Sequence, residues 1–137
     1  MIRLNQKVII ETKSKEQASV KITEVTTDPD YFPSETINPD SDNYNISHMV
    51  AVTIEYKNIS MSSSFIPNIS YFKAYITENQ PLGVANFILR TNAVNKGKSS
   101  KRQLFFITPG SSSELNEIKI DLSIKSKIAT FDLQVSH

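Results

Sequence analysis

The sequence predicts an all-β domain, a pair of antiparallel sheets packed as a sandwich of about seven to nine strands. Three observations carry this reading. The dominant hydrophobic period is two, short apolar runs recur at even spacing between turn residues, and no long amphipathic helix interrupts them. Two sheets facing each other bury such strands most simply.

The clearest element is HMVAVTIEYKN, in which Val50, Val52, Ile54 and Tyr56 share one face while Ala51, Thr53, Glu55 and Lys57 share the other. That alternation belongs to a half-buried strand. Comparable strands are expected over Ile2 to Ile10, Ala18 to Thr26, Ile69 to Thr77, Gly83 to Leu89, Lys101 to Thr108, Glu114 to Leu122 and Ile128 to Val135. Asn79-Gln80-Pro81 reads as a hairpin turn, and Pro109-Gly110 with three serines breaks the chain after LFFI. The stretch from Thr27 to Ser47 carries three prolines and many Asp, Asn and Ser residues, which predicts a long irregular loop. A chain of 137 residues is the size of one domain and buries a core without metal or disulfide staples, so residues 1–137 are read as a single domain.

Composition excludes several classes of function. Fifteen Lys and Arg against fourteen Asp and Glu leave a formal charge of +1, too little to draw in a nucleic-acid backbone. There is no cysteine, hence no disulfide, thiolate metal site or cysteine nucleophile. The longest apolar runs, MVAV and LFFI, fall far short of the roughly 18 residues of a membrane-spanning helix. MIRLNQKVII alternates and is no signal peptide, so the chain is either cytosolic or follows a leader removed upstream of it.

The strand VAVTIEYKNIS also resembles a known family. Val50, Val52, Ile54 and Tyr56, then Lys57-Asn58, Ser64-Phe65, and Phe72 to Ile76 are similar to the immunoglobulin-like, telokin-like domain of unknown function found in secreted proteins and lipoproteins, mainly of Gram-positive bacteria. KRQLFFITPG (101–110), EIKIDL and ATFDLQV resemble its later strands, so the likeness runs from about Ala18 to Val135. Where that family commonly has an Asp-Gly turn, this chain has Asn79-Gln80-Pro81, and its loop from Thr27 to Ser47 is longer. The resemblance implies an immunoglobulin-like sandwich, extracellular or attached to the cell surface, often tethered upstream by a lipid or linker, with no catalytic residues to carry over.

No arrangement of residues points to catalysis. A serine nucleophile needs a neighbouring base, and only His48 and His137 are available. There is no G-x-S-x-G, no H-E-x-x-H, and three glycines leave almost no room for a phosphate-cradling loop. Acid/base hydrolysis of a glycan by paired carboxylates is disfavoured by the small size and the lack of tryptophan. No cofactor is expected; Ca²⁺ is the one metal with candidate ligands, at Asp28, Asp30, Asp40 and Asp42 in two D-x-D pairs, although Asp beside Pro is also ordinary turn chemistry. Contact candidates are the loop aromatics Tyr31, Phe32 and Tyr44, which either pin the loop or offer a surface, and the basic run Lys96, Lys98, Lys101 and Arg102, which either touches anionic polymers or guards an edge strand.

Function therefore reads as non-catalytic binding or structural support at the bacterial envelope, through loops that recognise a protein or an envelope component. The alternatives are an immunity-type lipoprotein that sequesters a toxic peptide, and an intracellular, phage or secretion-machinery accessory sandwich. The tripeptide NIS occurs at Asn45, Asn58 and Asn68 in the form of a glycosylation sequon, yet each copy sits at a strand boundary. Turn punctuation is the expected role, since Asn and Ser side chains satisfy turning backbone.

Overall fold

The computed structural model describes residues 2–32, 46–77, 80–85, 92–124 and 127–137. Nine strands lie among them: β1 (Val8–Glu11), β2 (Gln17–Thr26), β3 (Met49–Asn58), β4 (Phe72–Thr77), β5 (Gln80–Pro81), β6 (Gly83–Ala85), β7 (Ser99–Ile107), β8 (Glu117–Ile124) and β9 (Lys127–Gln134). The first sheet has the order β1-β2-β3-β7-β6 and the second β5-β4-β8-β9. Every strand pair is antiparallel. The described residues contain short 3₁₀ turns and no α-helix.

β3 is central because its sequence suits burial on both sides. Val50, Val52, Ile54 and Tyr56 are fully buried on the inner face, and β-branched side chains pack well on a pleated surface. They oppose Phe106, Leu104, Arg102 and Ser100 of β7, so the inner face continues across the sheet. Facing them across the sandwich are Phe72 and Ala74 of β4, Ile118, Ile120 and Leu122 of β8, and Phe131 and Leu133 of β9, all in one core cluster. β2 keeps Val20, Ile22 and Val25 in that core only because its register slips between Ile22 and Glu24; the extra residue of this bulge returns Val25 to the inner face.

The outer face of the first sheet is polar at one end and apolar at the other. Thr53, Glu55 and Lys57 are partly or fully exposed, and Lys21 pairs with Glu55 at 3.5 Å. At the other end, Met49, Ala51, Ala85 and Phe105 are buried under Phe32, whose ring lies 5.5 Å from that of Phe105. In this second small core Phe32, which follows β2, covers outward apolar side chains.

Some expected strands end differently. Ile2 to Ile10 is not one strand: Ile2 pairs with Phe131 of the second sheet, the chain turns at Asn5 with φ of 66°, and β1 starts at Val8 in the first sheet. Asparagine tolerates that left-handed backbone better than most residues. Ile69–Tyr71 and Ser112–Glu114 form 3₁₀ turns ahead of β4 and β8. Gln80-Pro81 is an edge strand on β4, where proline's missing N–H costs little, while position 79 lies outside the described residues. Of the strand expected from Gly83 to Leu89, the described part is β6.

The chain ends sew the sheets together. Ile2, which leads into the first sheet, donates to Thr130 O at 3.0 Å and accepts from Asp132 N at 2.8 Å in the second. Ser136, which follows the second sheet, donates to Val25 O and accepts from Thr27 N, both at 2.9 Å, in the first.

Candidate functional site

The contact and metal residues expected from the sequence are scattered. Tyr31 is exposed in a 3₁₀ turn (Pro29–Tyr31), whereas Phe32 is buried against Phe105 and pins the excursion to the sheet. Asp28 Oδ1 accepts a hydrogen bond from Asp30 N at 3.0 Å, which makes the D-P-D pair the cap of that turn. Asp40, Asp42 and Tyr44 lie outside the described residues. Among those described, no group of three His, Cys, Asp or Glu side chains converges as a metal site would require.

The basic run does not form one patch. Lys96 and Lys98 are exposed at the end of the sandwich opposite Tyr31, separated from it by the ten residues of β3, about 30 Å of strand. Lys101 stands outward, opposite Glu55. Arg102, the register partner of Ile54, turns to the inner face, where its guanidinium donates to Pro67 O at 2.8 Å and its Nε is buried without a hydrogen-bond partner among the described residues. Neither histidine stands beside an activated nucleophile. His48 is exposed, and the ring of His137 is held between Thr27 Oγ1 and the Leu115 carbonyl.

At the Lys96 end, Asn58 organises three turns. Fully buried, it accepts from Met61 N at 2.7 Å and donates to Ser63 O at 2.9 Å and Val94 O at 3.1 Å. Beside it, Glu16 accepts from Ser62 N at 2.7 Å, and that bond holds its carboxyl below the ordinary range, with further help from Ser14 and the Lys96 charge. Asn68 caps the turn before β4 by accepting from Ser70 N at 2.9 Å. These two NIS asparagines are turn punctuation, and Asn58 has no room for a glycan. Asn45 lies outside the described residues.

A different feature has the shape of a binding site. On the flank where β1 ends the first sheet and the β8–β9 hairpin ends the second, an open groove of about 490 Å³ is lined by Val8, Ile10, Leu122, Ile124, Ile128 and Ala129. Its rim carries apolar side chains in water: Ile9 is 50% exposed and Ile128 67%. Both walls are strands at the end of their sheets, β1 in the first and β9 in the second. Thr12 N bonds Glu16 O at 2.9 Å, which turns the backbone groups of Thr12, Ile10 and Val8 toward β2 and leaves those of Ile9 and Glu11 facing the groove. On β9 the even-numbered residues face outward; Ile2 meets Thr130 and Asp132, and the backbone of Ile128 meets nothing among the described residues.

The sequence matches no protein-family model and no curated protein. Among solved structures, the fold is similar to that of MPT63, a secreted protein from Mycobacterium tuberculosis, with a TM-score of 0.58 and 12% identity over 96% of this chain and 94% of that one. This chain is a two-sheet β-sandwich. At such low identity the likeness shows the fold alone. A two-sheet β-sandwich, the coarser part of what the sequence resemblance implied, is observed; the telokin-like family itself, a Gram-positive host and a lipid anchor are not among the things the likeness to MPT63 supports.

The groove was hidden in the sequence, but its signal was present. Ile9 interrupts alternation in VIIE, and Ile128 is the one apolar residue in an outward row that continues with Thr130, Asp132 and Gln134. An apolar side chain at an outward position marks either a second core, as at Met49 and Phe105, or an uncovered face, as here.

Proposed function

We propose that this chain is a non-catalytic binding module that works outside the cell and contacts a protein partner through the flank between β1 and the β8–β9 hairpin. The observation that carries the reading is the groove itself: about 490 Å³, mainly apolar, and walled by two strand edges on which the backbone groups of Ile9, Glu11 and Ile128 meet nothing among the described residues. Volume in that range suits a binding cleft, and unpaired edge backbone favours a polypeptide over a small molecule because a strand satisfies every open amide and carbonyl at once. The extracellular part of the reading is supported by the secreted character of MPT63, whose fold matches along nearly the whole chain. Attachment to a bacterial envelope belongs to the same proposal, and the gene sequence upstream of Met1 tests it: a leader ending in a lipobox cysteine is expected.

The flank is tested by placing a photo-crosslinking residue at position 128 and, as control, at Gln103 on the outer face of the first sheet. Protein adducts from position 128 that disappear in the Ile9→Lys variant are expected. Equal labelling from both positions sinks the reading.

A further inference from the structure

We infer that the partner on this flank is a second copy of the chain, joined edge to edge along β1 about a two-fold axis at Ile9. The inference rests on the flank being a contact surface and names its occupant. Three features of β1 carry it. Its outer backbone groups, those of Ile9 and Glu11, meet nothing among the described residues. One of its two exposed side chains, Ile9, is apolar and half in water. With the residue that leads into it, its outward row reads Lys7, Ile9, Glu11, a pattern that complements itself when reversed.

An antiparallel pair with Ile9 opposite the second copy's Ile9 sets Lys7 against the second copy's Glu11 and Glu11 against its Lys7. Directly opposed residues have Cβ atoms about 5 Å apart, close enough for two cross-strand ion pairs around an apolar contact. About six backbone hydrogen bonds then form between groups that are now open. The register shifted by two residues is disfavoured, because it opposes Lys7 to Lys13 and sets Glu11 against Ile9. In the favoured register the second copy's Val8 and Ile10 point to the inner side, into the groove lined by Ile124 and Ile128. The two five-stranded sheets become one of ten strands, and the exposed edge that invites aggregation is used up. The assembly is isologous and closed, as two-fold contacts are. Four-residue strands make a small interface, so the dimer belongs to the weak, concentration-dependent class.

The test is sedimentation velocity of the full chain across a concentration series. Wild-type protein is expected to shift from monomer to dimer as concentration rises. Lys7→Glu and Glu11→Lys are each expected to weaken dimerisation about tenfold or more, since each turns both ion pairs into like-charge contacts. An equimolar mixture of the two variants is expected to dimerise again, because each reversed site then meets its opposite; a merely structural role for either residue would not produce this rescue. Wild-type protein that stays monomeric at its highest soluble concentration overturns the inference, as does a mixture that behaves like the separate variants. Adducts to other proteins from position 128 in the presence of a monomer overturn the dimer while supporting the flank as a contact surface.

Discussion

Asn58 shows how one side chain holds a whole end of the sandwich. Its three side-chain hydrogen bonds are made in a fully buried position, so removing it takes the side-chain partner from Met61 N and Ser63 O, and leaves Val94 O with the Phe65 amide alone. Asn58→Ala is expected to lower stability by about 2–4 kcal/mol, read as a shift in urea midpoint with an unchanged slope. Its role as punctuation was legible, because Asn and Ser at a strand end serve turning backbone; its burial was not, since one of the residues it serves, Val94, comes from distant chain. Glu16 adds a pH dependence. Its folded pKa lies below the ordinary value, chiefly through the Ser62 amide. The stabilisation it gives is therefore complete above the unfolded pKa, near 4.5, and is lost as pH falls through the lower folded value. Thermal melts of wild type and Glu16→Gln should differ at pH 6 and converge on going to about pH 3.

Elements were legible where the period-two pattern was uninterrupted. β2, β3, β7 and β9 fall within two residues of their expected bounds because propensity and burial agree along them. They went astray where the chain changes sheets: nothing in MIRLNQKVII says that Ile2 and Val8 belong to different layers, since both are apolar and both point inward. The excursion after β2 was recognised from its prolines and acids, and its anchor was offered as one of two roles for Phe32. The ring's contact with Phe105, above Met49 and Ala51, decides for packing. Phe32→Ala should cost about 3 kcal/mol in chemical denaturation, a core-like value at a position that sequence alone would place in a loop. Tyr31→Ala, one residue earlier and exposed, should change stability by less than about 0.5 kcal/mol in the same measurement.

Architecture followed from the sequence because alternating strands without helices leave few ways to bury their faces. The flank did not follow, because a groove between β1 and β9 depends on which strands end each sheet, and that order is set by contacts across the whole chain. For the same reason the basic run, contiguous in sequence, separates into an end, an outer face and an inner face once folded. Ile128→Lys tests the flank at this scale. With its side chain mostly in water, the substitution should leave the melting temperature within about two degrees of wild type while abolishing the adducts and any dimer that use the groove.

The crossed attachments of Ile2 and Ser136 bear on how the domain carries load. Ile2 runs parallel to β9, so tension applied through the two chain ends slides one strand along the other and strains the bonds to Thr130 and Asp132 together rather than peeling them in turn. Ser136, clasped to Val25 and Thr27, takes the same pull on the opposite sheet. A domain held at one end and tugged at the other thus resists as a buckle does, and it opens only when both clasps slip.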